Sequence, residues 1–348
     1  MLELQTQSIK RIKDTMATTI KDIANALGIS HSTVSRALSN PQKVQAKTRE
    51  LVLRKAHEMN YVPNAAARDM KKNSLPILGV VTLNMGHSAY GSEMIGVINQ
   101  QARSLEHQLI YIHVENGFPS EEEYNLLRER RISGLIYLSL DPDAIEHNSI
   151  FDEINTVFVN CYCERPGYSS VQANNVQGLF DITHYTLQHG YNKTMFINLD
   201  NRYQASRDRK SGYQQALKLN NRDFEPDKYM EVPVDFTFDF TSLDGAIREA
   251  IADGVDIILC GRDEIALEVY FTLARLGLSI PNDIAVVGFD NQSIISQRVS
   301  PKLTTVELPY QKMAKHGVQL LLRQQTPKQT EQIIINCEPI FRGSMLKK

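Results

Sequence analysis

The side chains best suited to hydrogen-bond another molecule lie near the start of the chain, in the segment TIKDIANALGISHSTVSRAL at residues 19–38. Four of them fall within six positions: His31, Ser32, Thr33 and Arg36. Together they offer hydroxyl, imidazole and guanidinium groups. A guanidinium can donate two parallel hydrogen bonds to one planar partner, so Arg36 is the strongest candidate for specific recognition.

Two short helices are predicted to hold these side chains. Apolar residues recur at helical spacing on two facing stripes, formed by Ile20, Ile23, Ala24 and Leu27 and by Ile29, Val34, Ala37 and Leu38. Gly28 is predicted to end the first helix, because glycine adopts the positive φ found just beyond a helix end. Ser30 is predicted to cap the second helix. This is a helix-turn-helix pattern, and the exposed side chains of its second helix would lie in the major groove of DNA.

The distribution of charge supports a nucleic-acid partner for this segment. Residues 1–73 hold 13 Lys and Arg against 6 Asp and Glu, whereas residues 74–348 hold 25 against 34. The overall formal charge of −2 hides this difference. A basic head can displace counterions from DNA phosphates, and an acidic body is repelled by them.

Length and composition exclude several classes of protein. A chain of 348 residues with 42% hydrophobic content can form two or three domains with sizeable cores. It has no apolar run typical of a signal peptide or a membrane span, so we expect a cytoplasmic protein. Residues 1–15 have no periodicity and are predicted to be disordered. The four cysteines are expected to be reduced core thiols and no metal site is expected, because the C-x-C pair lacks a nearby His or second Cys pair.

Beyond the two short helices, the sequence predicts a third helix and a hinge. A turn at Asn40-Pro41 precedes an amphipathic segment whose inward-facing residues are Val52, Ala56 and Met59. Residues 64–72 have several small or apolar positions and form a candidate hinge helix before a short linker.

From Ile77 onward, runs of β-branched residues alternate with helical patterns, which predicts an α/β fold with parallel sheets covered by helices. Strands are predicted at residues 77–83, 108–114, 134–140, 156–160, 194–199, 256–260 and 283–289. Ligands of such sheets bind beyond the carboxyl ends of the strands, and two lobes of this kind would enclose a ligand. No glycine-rich phosphate loop, nucleophile elbow or histidine pair is found. The body is therefore predicted to bind a ligand, without a cofactor and without being an enzyme.

Several blocks of sequence, taken in order, resemble one family. They are TIKDIANALGISHSTVSRAL, TRELV, NYVPNAAARDM, GYNKTMFI, RKSGYQQAL, IPNDIAVVGFDN and SPKLTTV. From about Thr19 to Gly343 the chain resembles the LacI/GalR family of bacterial transcription regulators. The resemblance implies an all-α head at residues 16–63, a hinge helix and linker at 64–75, and a two-lobed body like a periplasmic binding protein. The N-terminal lobe would comprise residues 76–172 and 307–325, and the C-terminal lobe residues 173–306 and 326–348.

The resemblance also implies a homodimer that binds palindromic double-stranded operator DNA, with a small-molecule effector between the lobes. The family's base-reading face is matched by His31, Ser32 and Arg36. Positions near phosphate, which fix register without reading sequence, are matched by Thr19, Ser30, Thr33 and Lys43. The hinge that enters the minor groove is matched by Ala66, Ala67 and Met70. The alternatives are a solvated helix surface for His31 and Ser32, and packing within the linker for Met70.

In the body, the positions that match the family's effector contacts are Tyr90, Asn174, Arg209, Phe236, Arg262, Asp263 and Asp290. Arg209 and Asp290 match the most dependable contacts, and their charged groups suit a polar ligand. The alternative is that these two residues pair with neighbouring charges where the lobes meet. For the two aromatic residues the alternative is core packing.

Two departures from the family pattern bear on the effector. Arg262 precedes Asp263 where the family commonly has Asn, and Asn174 stands where an acidic residue is common. The pocket is therefore predicted to be more cationic than usual, which favours a sugar acid or phosphorylated sugar over a neutral hexose. The head and the block CEPIFRGS are most similar to the cytidine repressor branch of the family, so a nucleoside is the alternative effector.

The resulting expectation is a repressor of a carbohydrate-utilisation operon. Induction and corepression use the same pocket with opposite coupling, so both stay open, as does activation from an upstream site. The few residues after Gly343 are too short for a tetramer-forming heptad tail, so a dimer is expected. The alternative class, a solute-binding protein of a transport system, would require an export signal and would lack the helix-turn-helix.

Overall fold

The computed structural model describes residues 18–39, 43–59, 61, 75–83, 89–114, 118–139, 144–233, 239–324 and 330–345, with the backbone alone at 39, 89 and 90. The chain forms two compact units, residues 1–74 and 75–348. The predicted N-terminal extension at 1–15 and the predicted hinge helix lie outside the described residues.

The first unit contains the three predicted helices, α1 (Ile20–Leu27), α2 (His31–Ser39) and α3 (Ala46–Glu58). Their common core consists of Ile23, Ala24, Val34, Ala37, Val52 and Ala56. Thr19 caps α1 in a reciprocal arrangement with Asp22, and Gly28 ends it with a φ of 63°. The Ser30 hydroxyl accepts a hydrogen bond of 3.1 Å from the backbone N–H of Thr33. The predicted stripes, helix end and caps are therefore confirmed.

The second unit contains two six-stranded sheets. The first has the order β13-β7-β5-β3-β1-β2, with β1 (Ile77–Leu83), β2 (Gln108–Val114), β3 (Gly134–Ser139), β5 (Thr156–Val159), β7 (Ser169–Asn174) and β13 (Gln332–Asn336). All of its pairs are parallel. A separate short ladder joins β4 (Ala144–Ile145) to β6 (Tyr162–Cys163).

The second sheet has the order β14-β12-β11-β10-β8-β9. Its strands are β8 (Thr194–Leu199), β9 (Tyr229–Val232), β10 (Ile257–Cys260), β11 (Ala285–Asp290), β12 (Thr304–Glu307) and β14 (Glu338–Ile340). Only the pair β12 and β14 is antiparallel among the described strands of this sheet. Nearly continuous burial of its inner strands is typical of parallel sheets covered on both faces.

Helices cover both sheets. They are α4 (Ala89–Ser104), α5 (Glu121–Glu129), α6 (Ile150–Glu153), α7 (Asn175–Gln188), α8 (Gln204–Leu219), α9 (Leu243–Ala252), α10 (Asp263–Arg275), α11 (Ser293–Ser296) and α12 (Tyr310–Arg323). Helix α12 packs on α4 and on the first sheet, whereas α7 packs on α8. Each sheet with its helices is one lobe of the body, so the predicted two-lobed α/β architecture is confirmed.

The chain passes between the lobes three times, near Asn174, between β12 and α12, and between β13 and β14. The last passage corrects one expectation. Residues 326–348 were expected to belong wholly to the C-terminal lobe, but β13 pairs with β7 in the first sheet. Its Ile333 and Ile335 pack against the core, and this burial outweighs the sequence proximity of β14.

All seven predicted strands form within two residues of their expected bounds. The four cysteines are buried and free, as expected. Within the described part of the chain, no helix combines the length and apolar character needed to cross a bilayer.

Candidate functional site

The exposed surface of the head carries the predicted DNA contacts. On α2, His31, Ser32 and Arg36 are exposed, while Val34 and Ala37 on the opposite face are buried. This division places the polar side chains where a recognition helix would meet base edges. The three predicted base-reading residues therefore lie on one accessible helix.

The residues expected near phosphate also lie on the head. Thr19, Ser30 and Lys43 are exposed and Thr33 is half-buried. The Ser30 hydroxyl lies 2.8 Å from the hydroxyls of both Ser32 and Thr33, so these three side chains form one hydrogen-bonded group at the start of α2. The predicted hinge contacts Ala66, Ala67 and Met70 lie outside the described residues.

In the body, Arg209 occupies a fixed position at the inner end of the second lobe. It lies in α8 and is 2% exposed. Its Nε donates to Asn175 Oδ1 at 3.0 Å, Nη2 donates to Asp290 Oδ1 at 3.3 Å, and Nη1 donates to the carbonyl of Gly261. The guanidinium carbon lies 3.9 Å from the centre of the Phe289 ring. Each of the three guanidinium nitrogens therefore has a hydrogen-bond partner within the second lobe.

Asp290 is the partner of Arg209 and ends strand β11. Its φ of 111° lies in a region that side-chain-bearing residues rarely adopt. Such backbone strain persists where the surrounding structure holds it, commonly at ligand sites. The structure therefore brings together the two residues expected to be the most dependable effector contacts, and it pairs them with each other.

Asp263 was expected to contact the effector directly, and the structure places its carboxylate inside the second lobe. Its side chain is fully buried. Oδ1 accepts a hydrogen bond of 2.6 Å from the Thr305 hydroxyl, and Oδ2 accepts one of 2.7 Å from the backbone N–H of Gln292. Burial, and then the nearby Asp290 carboxylate, raise the pKa of Asp263 well above its usual range. Asp263 therefore links α10 to β12 and to the segment that follows β11. Both of its carboxylate oxygens accept hydrogen bonds within the second lobe.

A cavity of about 190 Å³ opens beside Asp290. Its wall includes Glu93 of α4 in the first lobe and Asp290, Gln292, Glu307 and Tyr310 around the second crossing. Burial, and then the Asp290 carboxylate, raise the pKa of the Tyr310 hydroxyl well above 10. Tyr310 therefore stays neutral near pH 7 and can donate a hydrogen bond.

Arg262 directly follows Gly261, whose carbonyl accepts the Arg209 hydrogen bond, and it precedes the first turn of α10. It is partly exposed, and its positive charge opposes the rise in the pKa of Tyr310. Arg262 and Arg209 therefore both lie close enough to Tyr310 for their charges to act on its hydroxyl.

Asn174 has a different place from the one expected. Its Oδ1 accepts a hydrogen bond of 3.1 Å from the N–H of Gln177 and caps α7, and its Nδ2 donates to Asn336 Oδ1 at 3.1 Å. The side chain links two crossings between the lobes. The side chain of Tyr90 and all of Phe236 lie outside the described residues.

Sequence reasoning missed Asn175, Gln292 and Tyr310. Asn175 directly follows Asn174, and Gln292 lies two residues after Asp290. Tyr310 is the first residue of α12, after the second passage of the chain between the lobes. These three residues form no motif in the sequence, because each belongs to a different part of the fold. In the described residues, His, Cys, Asp and Glu form no group of three that could hold a metal ion.

Comparison with known proteins identifies both parts of the chain. Residues 19–64 match the model of bacterial regulatory proteins of the lacI family, and residues 183–345 match the periplasmic binding protein-like domain. The chain is 27% identical over 337 residues to a probable HTH-type transcriptional repressor, ExuR, of Bacillus subtilis, covering 94% of this chain and 98% of the relative. It is 28% identical over 296 residues to the sucrose operon repressor of Escherichia coli, covering 84% and 89%.

The fold matches a solved structure of the lac repressor dimer bound to operator and an anti-inducer, with a TM-score of 0.75 and 21% identity over 94% of this chain and 99% of that one. The predictions of the fold and of a DNA-binding regulator rather than an enzyme are confirmed by these matches. The head thus matches the helix-turn-helix of the lacI family, the body matches the periplasmic binding protein-like domain, and the chain is similar to LacI-family repressors over nearly its whole length.

Proposed function

We propose that this chain is a transcriptional repressor of a carbohydrate-utilisation operon, acting as a homodimer in the cytoplasm. Each head reads one half of a palindromic operator through α2, and a small molecule in the cleft of each body controls operator affinity. The observation that carries the proposal is that one chain combines an exposed Arg36 on a recognition helix with a held Arg209–Asp290 pair beside a cavity.

The proposed contacts with DNA divide into two kinds. His31, Ser32 and Arg36 contact base edges, and Arg36 donates two hydrogen bonds to a guanine. Thr19, Ser30, Thr33 and Lys43 contact phosphates and fix the register of the head. Loss of Arg36 should therefore relax specificity, whereas loss of Lys43 should weaken binding to all sequences and lower its salt dependence.

Exposed apolar side chains in the second lobe support a dimer. Phe271 on α10 is 50% exposed and Ile294 on α11 is 57% exposed. Large apolar groups of this kind are commonly covered by a partner surface. Light scattering on the purified protein should give the mass of a dimer, and a tetramer would contradict this part of the proposal.

The proposed effector is a compact, hydroxyl-rich sugar derivative. The cavity of about 190 Å³ is smaller than the roughly 300–1,000 Å³ typical of sites for drug-sized ligands. The cavity wall combines the Tyr310 hydroxyl with the carboxylates of Asp290 and Glu307, and such a mixture of donors and acceptors suits hydroxyl groups. Arg262 adds a positive charge and favours a sugar acid or a phosphorylated sugar.

A nucleoside is the second candidate effector. Two segments of the sequence favour a nucleoside, the head and residues 337–344, because both are most similar to the cytidine repressor branch of the family. A nucleoside carries hydroxyls for Asp290 but no anionic group for Arg262. Ligand charge therefore separates the two candidates.

The experiment has two readouts. The unfolding midpoint is measured with neutral sugars, sugar acids, sugar phosphates and nucleosides, because a ligand at a hundredfold its Kd adds about 2.7 kcal/mol of stability. Fluorescence anisotropy then follows binding to an operator fragment selected from random-sequence DNA. We expect a sugar acid or sugar phosphate to raise the midpoint by several degrees and to change operator affinity.

The direction of the affinity change distinguishes an inducer from a corepressor. Absence of sequence-specific DNA binding would contradict the proposal, and a nucleoside hit would favour the second candidate. In the cell, deletion of the gene should raise expression of the target operon. Lower expression in the deletion strain would indicate an activator instead.

A further inference from the structure

One acidic side chain beside the cleft is only half satisfied. Glu264 lies in the first turn of α10, two residues after Arg262. Its Oε1 accepts a hydrogen bond from the side-chain amide of Gln292. Its Oε2 is buried and has no hydrogen-bond partner among the residues that the structure describes.

An unpaired buried carboxylate oxygen is costly, because it loses its hydrogen bonds to water without replacement. Most buried polar atoms in folded proteins have a partner, so each exception calls for a physical explanation. Four buried side-chain atoms are unpaired in the described part of the chain, and Glu264 Oε2 is the one that belongs to an ionisable group. A donor supplied by a ligand would remove the penalty.

Two observations place this oxygen just behind the wall of the proposed effector cavity, and a third shows that the turn carrying it is held in place. Gln292, which holds the other oxygen of Glu264, forms part of the cavity wall. Tyr310 also forms part of the wall, and after burial and Asp290 the Glu264 charge contributes to the raised pKa of its hydroxyl. Asp263, the preceding residue, is tied to Thr305 and Gln292, which fixes the first turn of α10.

The position of Glu264 completes a pattern of donors and acceptors. Arg262, just before α10, offers donors, whereas Asp290 in the cavity wall and Glu264 in the first turn of α10 offer acceptors. A sugar ring presents hydroxyls that donate and accept, and a side chain on each side of a ligand fixes its orientation as well as its affinity.

We propose that Glu264 is a specificity-determining residue that contacts the effector, and that its Oε2 accepts a hydrogen bond from an effector hydroxyl. This inference rests on the proposed function, since it assumes a polyhydroxylated ligand in the cleft. The added contact comes from the first turn of α10. A ligand that lacks the hydroxyl should lose the same binding energy as a protein that lacks the Glu264 acceptor.

The test compares Glu264→Gln with Glu268→Gln, which makes the same charge change one turn further along α10. D-glucuronate, D-gluconate, D-glucose 6-phosphate, D-glucose and cytidine are titrated into each protein by calorimetry. In Glu264→Gln the side-chain carbonyl of the new residue keeps the hydrogen bond from Gln292. An NH₂ group then replaces the Oε2 acceptor, and it cannot accept a hydrogen bond from the effector hydroxyl. We expect about 10- to 100-fold weaker binding of the tightest wild-type ligand, and no more than a twofold change in Glu268→Gln.

A ligand-free readout accompanies the titration. Because the substitution removes an unpaired carboxylate oxygen, Glu264→Gln should unfold at the same temperature as the wild type or at a higher one. A midpoint several degrees lower would mean that the carboxylate has a structural partner, and it would overturn the inference.

The remaining outcomes are also decisive. Equal ligand affinity in Glu264→Gln and wild type, equal losses in both variants, or no binding of any of the five compounds would each overturn the inference. Selective loss in Glu264→Gln with unchanged operator binding would support it. Failure of the wild type to bind operator DNA would instead contradict the proposed function, whatever the two variants do.

Discussion

The charge of Arg209 is buried, so its value depends on its partner. The guanidinium meets Asp290 in a region where both side chains are at most 3% exposed. Desolvation of two charges is offset here by the pair itself and by the hydrogen bonds to Asn175 and Gly261. Removing one partner leaves the other buried and unpaired, which costs more than the pair contributes.

We therefore predict that Arg209→Ala lowers the free energy of unfolding by about 3 to 5 kcal/mol. The second substitution Asp290→Asn in the same chain should restore part of this loss, because it removes the stranded charge. Urea unfolding measures both effects, and exposed Arg248→Ala serves as the control. Equal stability of Arg209→Ala and wild type would mean that the pair is solvated in solution.

Individual residues also mark the limit of prediction from sequence. The types and motif positions of Arg209 and Asp290 were sufficient to single them out, and the structure brings them together. Asp263 has the same chemistry and adjoins Arg262, yet its carboxylate turns inward to Thr305 and Gln292. The direction of a side chain beyond a strand end depends on hydrogen bonds from other elements, which residue spacing does not contain.

Among the elements, α1 depends on an acid-sensitive cap. The carboxylate of Asp22 accepts hydrogen bonds from the Thr19 hydroxyl at 2.6 Å and the Thr19 N–H at 2.8 Å. These bonds lower the pKa of Asp22 below 3.8. Because the folded-state pKa is the lower one, the cap stabilises α1 above the ordinary pKa, and its contribution is lost as pH falls through the depressed value.

We predict that Asp22→Ala speeds hydrogen exchange of the amides of α1 at pH 6. The difference between the variant and the wild type should begin to shrink as pH falls below about 3.8 and should disappear below the depressed pKa, after correction for intrinsic exchange rates. Mass spectrometry of the intact chain gives this comparison, and the amides of α9 in the body provide an internal control. A difference that stays constant down to pH 3 would contradict the role of the carboxylate.

Helices α7 and α8 approach each other closely at Gly212. A Cβ at this position would overlap the backbone carbonyl of Val176. A Cβ at Gly245 in α9 would meet no atom within 4 Å, so the two glycines form a matched pair in helices of the same lobe. Backbone cannot move aside without separating the helices.

Gly212→Ala should therefore destabilise the protein by about 1 to 3 kcal/mol or more, as overpacking does. Gly245→Ala should be neutral or stabilise by about 0.5 to 1 kcal/mol, because alanine favours a helix. Thermal unfolding of the two variants distinguishes these effects. Similar midpoints for both would rule out the close approach of α7 and α8.

The strands divide into those that sequence predicts and those that it does not. Inner strands such as β1 and β8 are mostly apolar and almost continuously buried, and their bounds were predicted closely. β7 is rich in polar residues, and β13 alternates exposed and half-buried side chains at the edge of a sheet. β13 pairs with β7, about 160 residues away in sequence, so local pattern alone could not assign β13 to the first lobe.

At the scale of the whole molecule, we propose one function for each of the two units. In this proposal the basic head binds DNA through Arg36, and the response of the body to an effector depends on Arg209. Each unit has its own compact core, so a change confined to one unit should leave the fold of the other intact. We therefore expect that DNA binding and effector binding can be removed separately.

The most direct test measures operator binding and effector binding for wild type, Arg36→Ala and Arg209→Ala. We predict that Arg36→Ala loses about 1 to 3 kcal/mol of operator binding, roughly 5- to 150-fold, and keeps its ligand-induced rise in unfolding midpoint. Arg209→Ala should start from a lower unfolding midpoint, keep operator binding without ligand at a temperature where it is folded, and show no further rise in midpoint with ligand. Loss of both activities in both variants would contradict the division of function between head and body.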